Sequence, residues 1–165
     1  MPMPVQLQLK AIQNQLLNAK QKCIAGTCIF DPVIRPDVNK GWLRSMKFIS
    51  LSPEESALPD TRDTERVVQS ISSLQHYNLD RFESYYNYMD AALSSIGAAV
   101  FYLNRELRVY HKAGNESLLE ELKHRNLSFS SCLAEDVIGC TAVSLANQSG
   151  AISYTIGVEN FHPAL

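Results

Sequence analysis

Cysteine and histidine offer this chain its most reactive side chains. Cys132 and Cys140 could act as thiolate nucleophiles or soft metal ligands, and His111, His124 and His162 could add imidazole nitrogens. A metal centre usually takes close ligand pairs such as C-x-x-C or H-x-x-x-H, and neither spacing occurs; Cys23 and Cys28 have four residues between them, and no cofactor or metal is expected. A nucleophilic thiol needs its pKa lowered by a base or a helix N-terminus, and Cys140 stands closest to an expected helix start. Glu135 and Gly139 flank that start. They could shape a helix N-terminus that receives an anion, or serve only as a cap and a tightly packed glycine.

Those residues depend on the elements that carry them. Val5, Leu9, Ile12, Leu16, Ala19 and Cys23 alternate steps of four and three, which predicts an amphipathic helix with a narrow seam. The seam suits packing within its own domain or pairing with a second copy. Gly26 and the proline-punctuated FDPVIRPD end that helix in an extended connector. Asp37 is read as the N-cap of a short helix carrying Val38, Trp42, Leu43, Met46 and Ile49, with SPEESALPD as a linker. From Thr61 to Ser95 the pattern is helical again, with a phase slip between Tyr77 and Asp80, and Trp42 is expected to bury against this long helix. The texture changes after Gly97. AAVFYLN and LRVYHKAG read as a hairpin across the turn NRE, Asn115 as the N-cap of ESLLEELKHR, and NLSFSSCL as a strand or an ordered loop. Asp136–Asn147 is expected to be helical and AISYTIGVENF to be a strand. The expectation is an α+β chain with an antiparallel sheet backed by helices, divided into an N-terminal helical segment and linker (1–60) and a sheet-bearing domain (61–165).

Composition narrows the function. Hydrophobic residues make up 45% and charged residues 19% of 165, as in an ordinary globular protein, and the net charge is −2. Without a basic block the chain is not expected to grip nucleic acid by itself. No apolar run reaches the ~18 residues of a membrane span, and MPMPVQLQLK lacks the features of a secretory signal. The expected location is the cytoplasm, with the four cysteines reduced. A G-x-x-x-x-G-K-[ST] phosphate loop is absent, so ATP hydrolysis is not expected.

Four segments in order carry a resemblance. Ile34-Arg35-Pro36-Asp37 leading to Gly41-Trp42-Leu43-Arg44-Ser45 resembles an "R-P-x-I…S-W-x-R-S" opening. Leu107–Gly114 resembles a second sensor strand, Glu135-x-x-Ile138-Gly139-Cys140-Thr141-Ala142-Val143 is similar to "E-x-x-I-G-T-N-A-I", and Ile156-Gly157-Val158-Glu159-Asn160-Phe161 is similar to "V-x-G-x-E-H-F". Together, from Ile34 to the C-terminus, they look like the N-terminal GAF-like sensor domain of sigma-54-dependent transcriptional activators of the acetoin-catabolism-regulator type. The chain departs from the pattern at Cys140-Thr141 and Asn160, and such domains continue into further strands where this sequence ends at His162-Pro163-Ala164-Leu165. An open sheet edge is therefore expected, which favours a homodimer.

What the resemblance implies is a sensor that binds a small-molecule effector and controls a downstream AAA+ module. Sigma-54 RNA polymerase and DNA would be met only through modules outside these 165 residues. An apolar pocket tuned by a few polar groups would draw on Phe101, Tyr110, Cys132, Glu135, Ile138, Cys140, Tyr154 and Ile156, each of which could equally be core. The expectation is a regulator and not an enzyme. A ligand-free dimerisation module is the alternative, followed by a cysteine-based GAF-fold enzyme that reduces methionine sulfoxide.

Overall fold

The computed structural model describes residues 5–27, 30–49, 57–60, 65–156, 159–162 and 165, with the side chains of 5–7 and 65–67 outside that description. Its elements are α1 (Val5–Ile24), α2 (Pro36–Ser45), α3 (Glu65–Ser95), β1 (Ala99–Leu103), β2 (Val109–Gly114), α4 (Glu116–His124), α5 (Glu135–Ile138) and α6 (Ala142–Ser149). The class is α+β: six helices and a two-stranded antiparallel sheet among the described residues. None of the helices there is long and apolar enough to cross a membrane.

The chain forms two compact units, and the division is discontinuous. Met1–Glu55 joins Glu135–Leu165 in unit 1, while Ser56–Ala134 makes unit 2. This partition crosses the 60/61 division drawn from the sequence, because the apolar residues of α1 and α2 share a core with Cys140, Leu145 and Phe161.

In unit 1 the seam of α1 is used by half. Leu16, Ala19 and Cys23 are buried, whereas Leu9 and Ile12 are 55% and 50% exposed. Pro36 begins α2: its fixed φ suits the first helical position, and Arg35 before it holds extended backbone at the N-cap. Asp37 is therefore in the first turn and not at the cap where the sequence placed it. Val38 and Trp42, one turn apart, are fully buried in the unit 1 cluster with Leu16, Ala19 and Cys23 of α1 and with Phe161.

The single helix expected over Asp136–Asn147 is two. Gly139 has φ +77°, which breaks the helical ladder after α5, and Thr141 restarts it with a reciprocal cap in which its hydroxyl faces Ser144 N and Ser144 Oγ faces Thr141 N. Gly150, at φ +65°, ends α6 in the left-handed conformation. The strand expected over AISYTIGVENF does not form. Residues 152–156 run without regular pairing, since the described sheet contains only β1 and β2, and Gly157 and Val158 lie outside the described residues.

Unit 2 is built on α3, which kinks at Phe82 (φ −126°, ψ 22°), just beyond the phase slip in its apolar pattern. The hairpin pairs Ala99 with Gly114 through Tyr102 with His111, and then shifts register at Leu103–Val109. One face of it meets α3. Tyr86 stands edge-on to Tyr102 at 4.8 Å between ring centroids and 4.5 Å from the His111 ring. Asp90 on α3 accepts the Gly114 amide at 2.7 Å. Asn115 caps α4 as expected, accepting from Leu118 N at 3.0 Å. NLSFSSCL is an ordered loop whose end behaves as a rudimentary edge: Val109 N donates to Ser131 O, Ser130 N to Val109 O and Leu133 N to Leu107 O, all near 3 Å.

Candidate functional site

Unit 1 gathers charged and polar side chains from segments about a hundred residues apart. Arg35 Nε donates to Glu159 Oε1 at 3.1 Å, and Trp42 Nε1 donates to the Glu159 carbonyl at 2.8 Å. Arg44 Nε meets Glu135 Oε1 at 3.1 Å, and Gln148 reaches the same carboxylate. Ser45 Oγ accepts the Cys140 amide at 2.7 Å while donating to Gly41 O at 2.9 Å. Charge-assisted bonds of this kind, partly removed from water, fix orientation more firmly than exposed pairs. Two glycines make the approach possible. A Cβ on Gly41 would overlap the Cys140 side chain, and one on Gly139 would overlap the Phe161 ring.

Beneath this lattice lies an unusual cation. Lys20 is 7% exposed; its Nζ donates to Asn160 O at 2.6 Å and lies 5.8 Å from the centroid of Trp42. Burial lowers its pKa to about 8 against the opposing pull of the Cys140 thiolate form. Cys140 is fully buried. Burial, reinforced by the Glu135 carboxylate, pushes its thiol up to about 11, the reverse of what activates a nucleophile.

Each unit also carries an open cleft. In unit 1 a volume of about 450 Å³ lies among Pro36, Lys40, Arg44, Leu145, Gln148 and Ser153. In unit 2 a cleft of about 470 Å³ lies between Ser70, Leu74 and Asn78 of α3 and Leu103, Asn104 and Tyr110 of the hairpin. Both fall in the size range of small-molecule sites. The unit 2 cleft adjoins the ring cluster through Tyr110, whose hydroxyl is 3.4 Å from that of Tyr86 and whose ring is 6.2 Å from Tyr102. Burial, helped by Tyr110, pushes the Tyr86 phenol up to about 12. The Tyr102 hydroxyl oxygen is buried with no hydrogen-bond partner of good geometry among the described residues. Burial also lowers the pKa of His111, against Asp90.

The eight sequence candidates are divided between the two units. Phe101, Tyr110 and Cys132 belong to unit 2; Glu135, Ile138, Cys140, Tyr154 and Ile156 belong to unit 1. Tyr110 lines a cleft. Cys132 is buried in the Arg108–Cys132 bridge, its Sγ 3.9 Å from Glu106 O. Glu135 is held by Arg44, and Ile138 and Cys140 are core. Tyr154 and Ile156 are 59% and 62% exposed, because their segment forms no strand; neither lines an interior pocket. Among the described residues no group of three or more His, Cys, Asp and Glu is placed to hold a metal ion. The sequence reading passed over Lys20, Lys40, Asn78 and Tyr102. Only the helical phase could have found Lys20, one position after Ala19 on the buried side of α1.

No family model, curated protein or solved structure matches this chain.

Proposed function

We propose that the chain is a cytoplasmic signal-sensing module: a GAF-like regulatory domain of the sigma-54-dependent activator type, non-enzymatic and homodimeric. One observation carries this reading. Three of the four segments that resemble those sensors bond directly to one another in unit 1, through Arg35–Glu159, Trp42–Glu159 and Arg44–Glu135. Residues that recur as a motif and also interlock are doing a common structural task, which supports the resemblance beyond its letters.

In this reading unit 1 is the frame and unit 2 the receiver. A small effector without net charge enters the cleft beside Tyr110, where Asn78 and the Tyr110 phenol supply directional hydrogen bonds, Leu74 and Leu103 supply apolar area, and Arg105 and Glu106 offset each other in charge. A guest wedged between α3 and the hairpin bears on the helix that kinks at Phe82, so two arrangements of α3 would bind it unequally. That inequality is the requirement for a signal. The fully buried, proton-retaining Cys140 favours the sensor over a thiol-based enzyme.

The test is a thermal-shift and calorimetric screen of small hydroxyketones, including acetoin, and related neutral metabolites. A binder that raises the melting temperature, and loses at least tenfold in affinity on Tyr110→Ala or Asn78→Ala, upholds the reading. Binding unaffected by either substitution, or no binder in the screen, overturns the assigned cleft. Turnover of methionine sulfoxide lost on Cys140→Ser would replace the sensor with the enzyme.

A further inference from the structure

We propose that two copies of this chain join by exchanging a strand, Ala151–Ile156 of each adding to the outer edge of β1 in the other. The inference rests on the homodimer reading and specifies the surface that makes it.

Both halves of the joint are in the chain. Residues 151–156 read Ala-Ile-Ser-Tyr-Thr-Ile, the period-two pattern of a strand, yet among the described residues they join no sheet. Their alternate side chains stand in solvent: Ile152 is 103% exposed and Ile156 62%, with Tyr154 between them under the Arg35 guanidinium. Among the described residues the amides of Ile152 to Thr155 donate to nothing, while Arg35 and Glu159 hold the segment at the Tyr154 carbonyl and the Ile156 amide. A strand-forming segment is thus held open, tethered at its end, with its donors unspent.

The receiving edge is equally open. Among the described residues β1 has one partner, β2. Asn115 N donates to Ala98 O and Asn104 N to Arg108 O, so the even-numbered residues of β1 face β2. Ala99, Phe101 and Leu103 consequently turn their N–H and C=O groups outward along five residues. Neither Ala99–Leu103 nor Ala151–Ile156 contains a charge or a proline, the usual means of keeping an edge unpaired. A two-stranded sheet is also marginal alone and gains from a third strand.

The same argument fixes the occupant and the stoichiometry. One added six-residue strand falls well short of the roughly 1,200 Å² that a stable association buries, so a single joint is insufficient. A two-fold axis doubles it, because each copy owns both an edge and a strand, and such closure ends at the dimer.

Light scattering and sedimentation of the full chain test this, with two kinds of variant. Ile152→Lys with Ile156→Lys changes only exposed side chains, and Phe101→Pro removes an outward amide while sparing the ladder to β2. The expected result is a wild-type dimer whose dissociation constant rises at least tenfold in each variant, with slow exchange of the Phe101 and Leu103 amides that is lost on dilution. A dimer indifferent to the lysine pair overturns strand exchange and leaves the homodimer reading standing, on another surface. A wild-type monomer overturns both, and slow exchange that survives dilution would place the strand within its own chain.

Discussion

Unit 1 and unit 2 are similar in size and are held by different means. Of the nine largest fully buried side chains among the described residues, Ile71 and Val109 lie in unit 2; Trp42, Phe161, Ile138, His162, Val38, Cys140 and Ser45 lie in unit 1. Unit 1 combines a closed apolar cluster with bonds between distant segments. Unit 2 leans a half-buried hairpin on a kinked helix through ring contacts. The lesson concerns where change can occur at small cost. Dense packing has one arrangement, whereas rings tilted against a bent helix can settle in more than one.

Four experiments press on that contrast. The largest effect belongs to Trp42→Ala, which removes the fully buried ring and the bond to Glu159 O; about 3–5 kcal/mol should vanish from unit 1 in urea denaturation followed by circular dichroism. If unit 2 lost its hairpin signals at the same urea concentration, the two units would be one cooperative body and the contrast would fall.

Paired glycine substitutions come next. Gly139→Ala forces φ +77° on an L-residue and drives a methyl into Phe161, while Gly114→Ala forces φ +121° and drives one into Ala98 O. Each should cost roughly 2–4 kcal/mol, the first in unit 1 and the second in unit 2, read by segment-resolved hydrogen exchange.

The third experiment is a pH series on unit 1. Lys20 keeps a proton less well folded (about 8) than unfolded (10.5), so the unfolded chain binds more protons between those values and stability rises with pH there. Cys140 is opposite: between 9.0 and about 11 the folded chain retains the proton and stability falls with pH. Unfolding free energy should therefore climb by about 1 kcal/mol from pH 8 to 9 and then level off. Lys20→Met should abolish the climb, and Cys140→Ala should extend it towards pH 10.5.

The smallest effect is in unit 2. His111 is depressed below its ordinary 6.5, so the unfolded chain binds more protons just under that pH and stability rises as pH climbs towards 6.5. The imidazole resonances should titrate below 6.5 by NMR, and His111→Phe should flatten the slope.

Sequence patterns revealed the elements far better than their grouping. The hairpin, the Asn115 cap and the weakness in the long helix were all legible, because alternation, capping chemistry and helical phase are local. The break at Gly139 was missed because apolar spacing continues through it, although the glycine itself was the clue. AISYTIGVENF was read as a strand on propensity alone; a strand also needs a partner, and none in the described sheet supplies it. The site candidates scattered for a related reason. Nothing in the spacing of Cys140 and Tyr110 tells that the chain returns to its beginning at Glu135, so the candidates fall in both units. Lys20 was hidden by its type, since lysine is ordinarily a surface residue.

That return has a consequence during synthesis. Everything unit 2 needs lies in one uninterrupted stretch, so it can close as soon as Ala134 has left the ribosome. Trp42, made much earlier, must wait for Phe161 before its cavity is sealed. Over the codons from Ala134 to Phe161 the nascent protein carries an unshielded indole and a completed unit 2, and a chaperone meeting it in that interval would find α1 and α2 first.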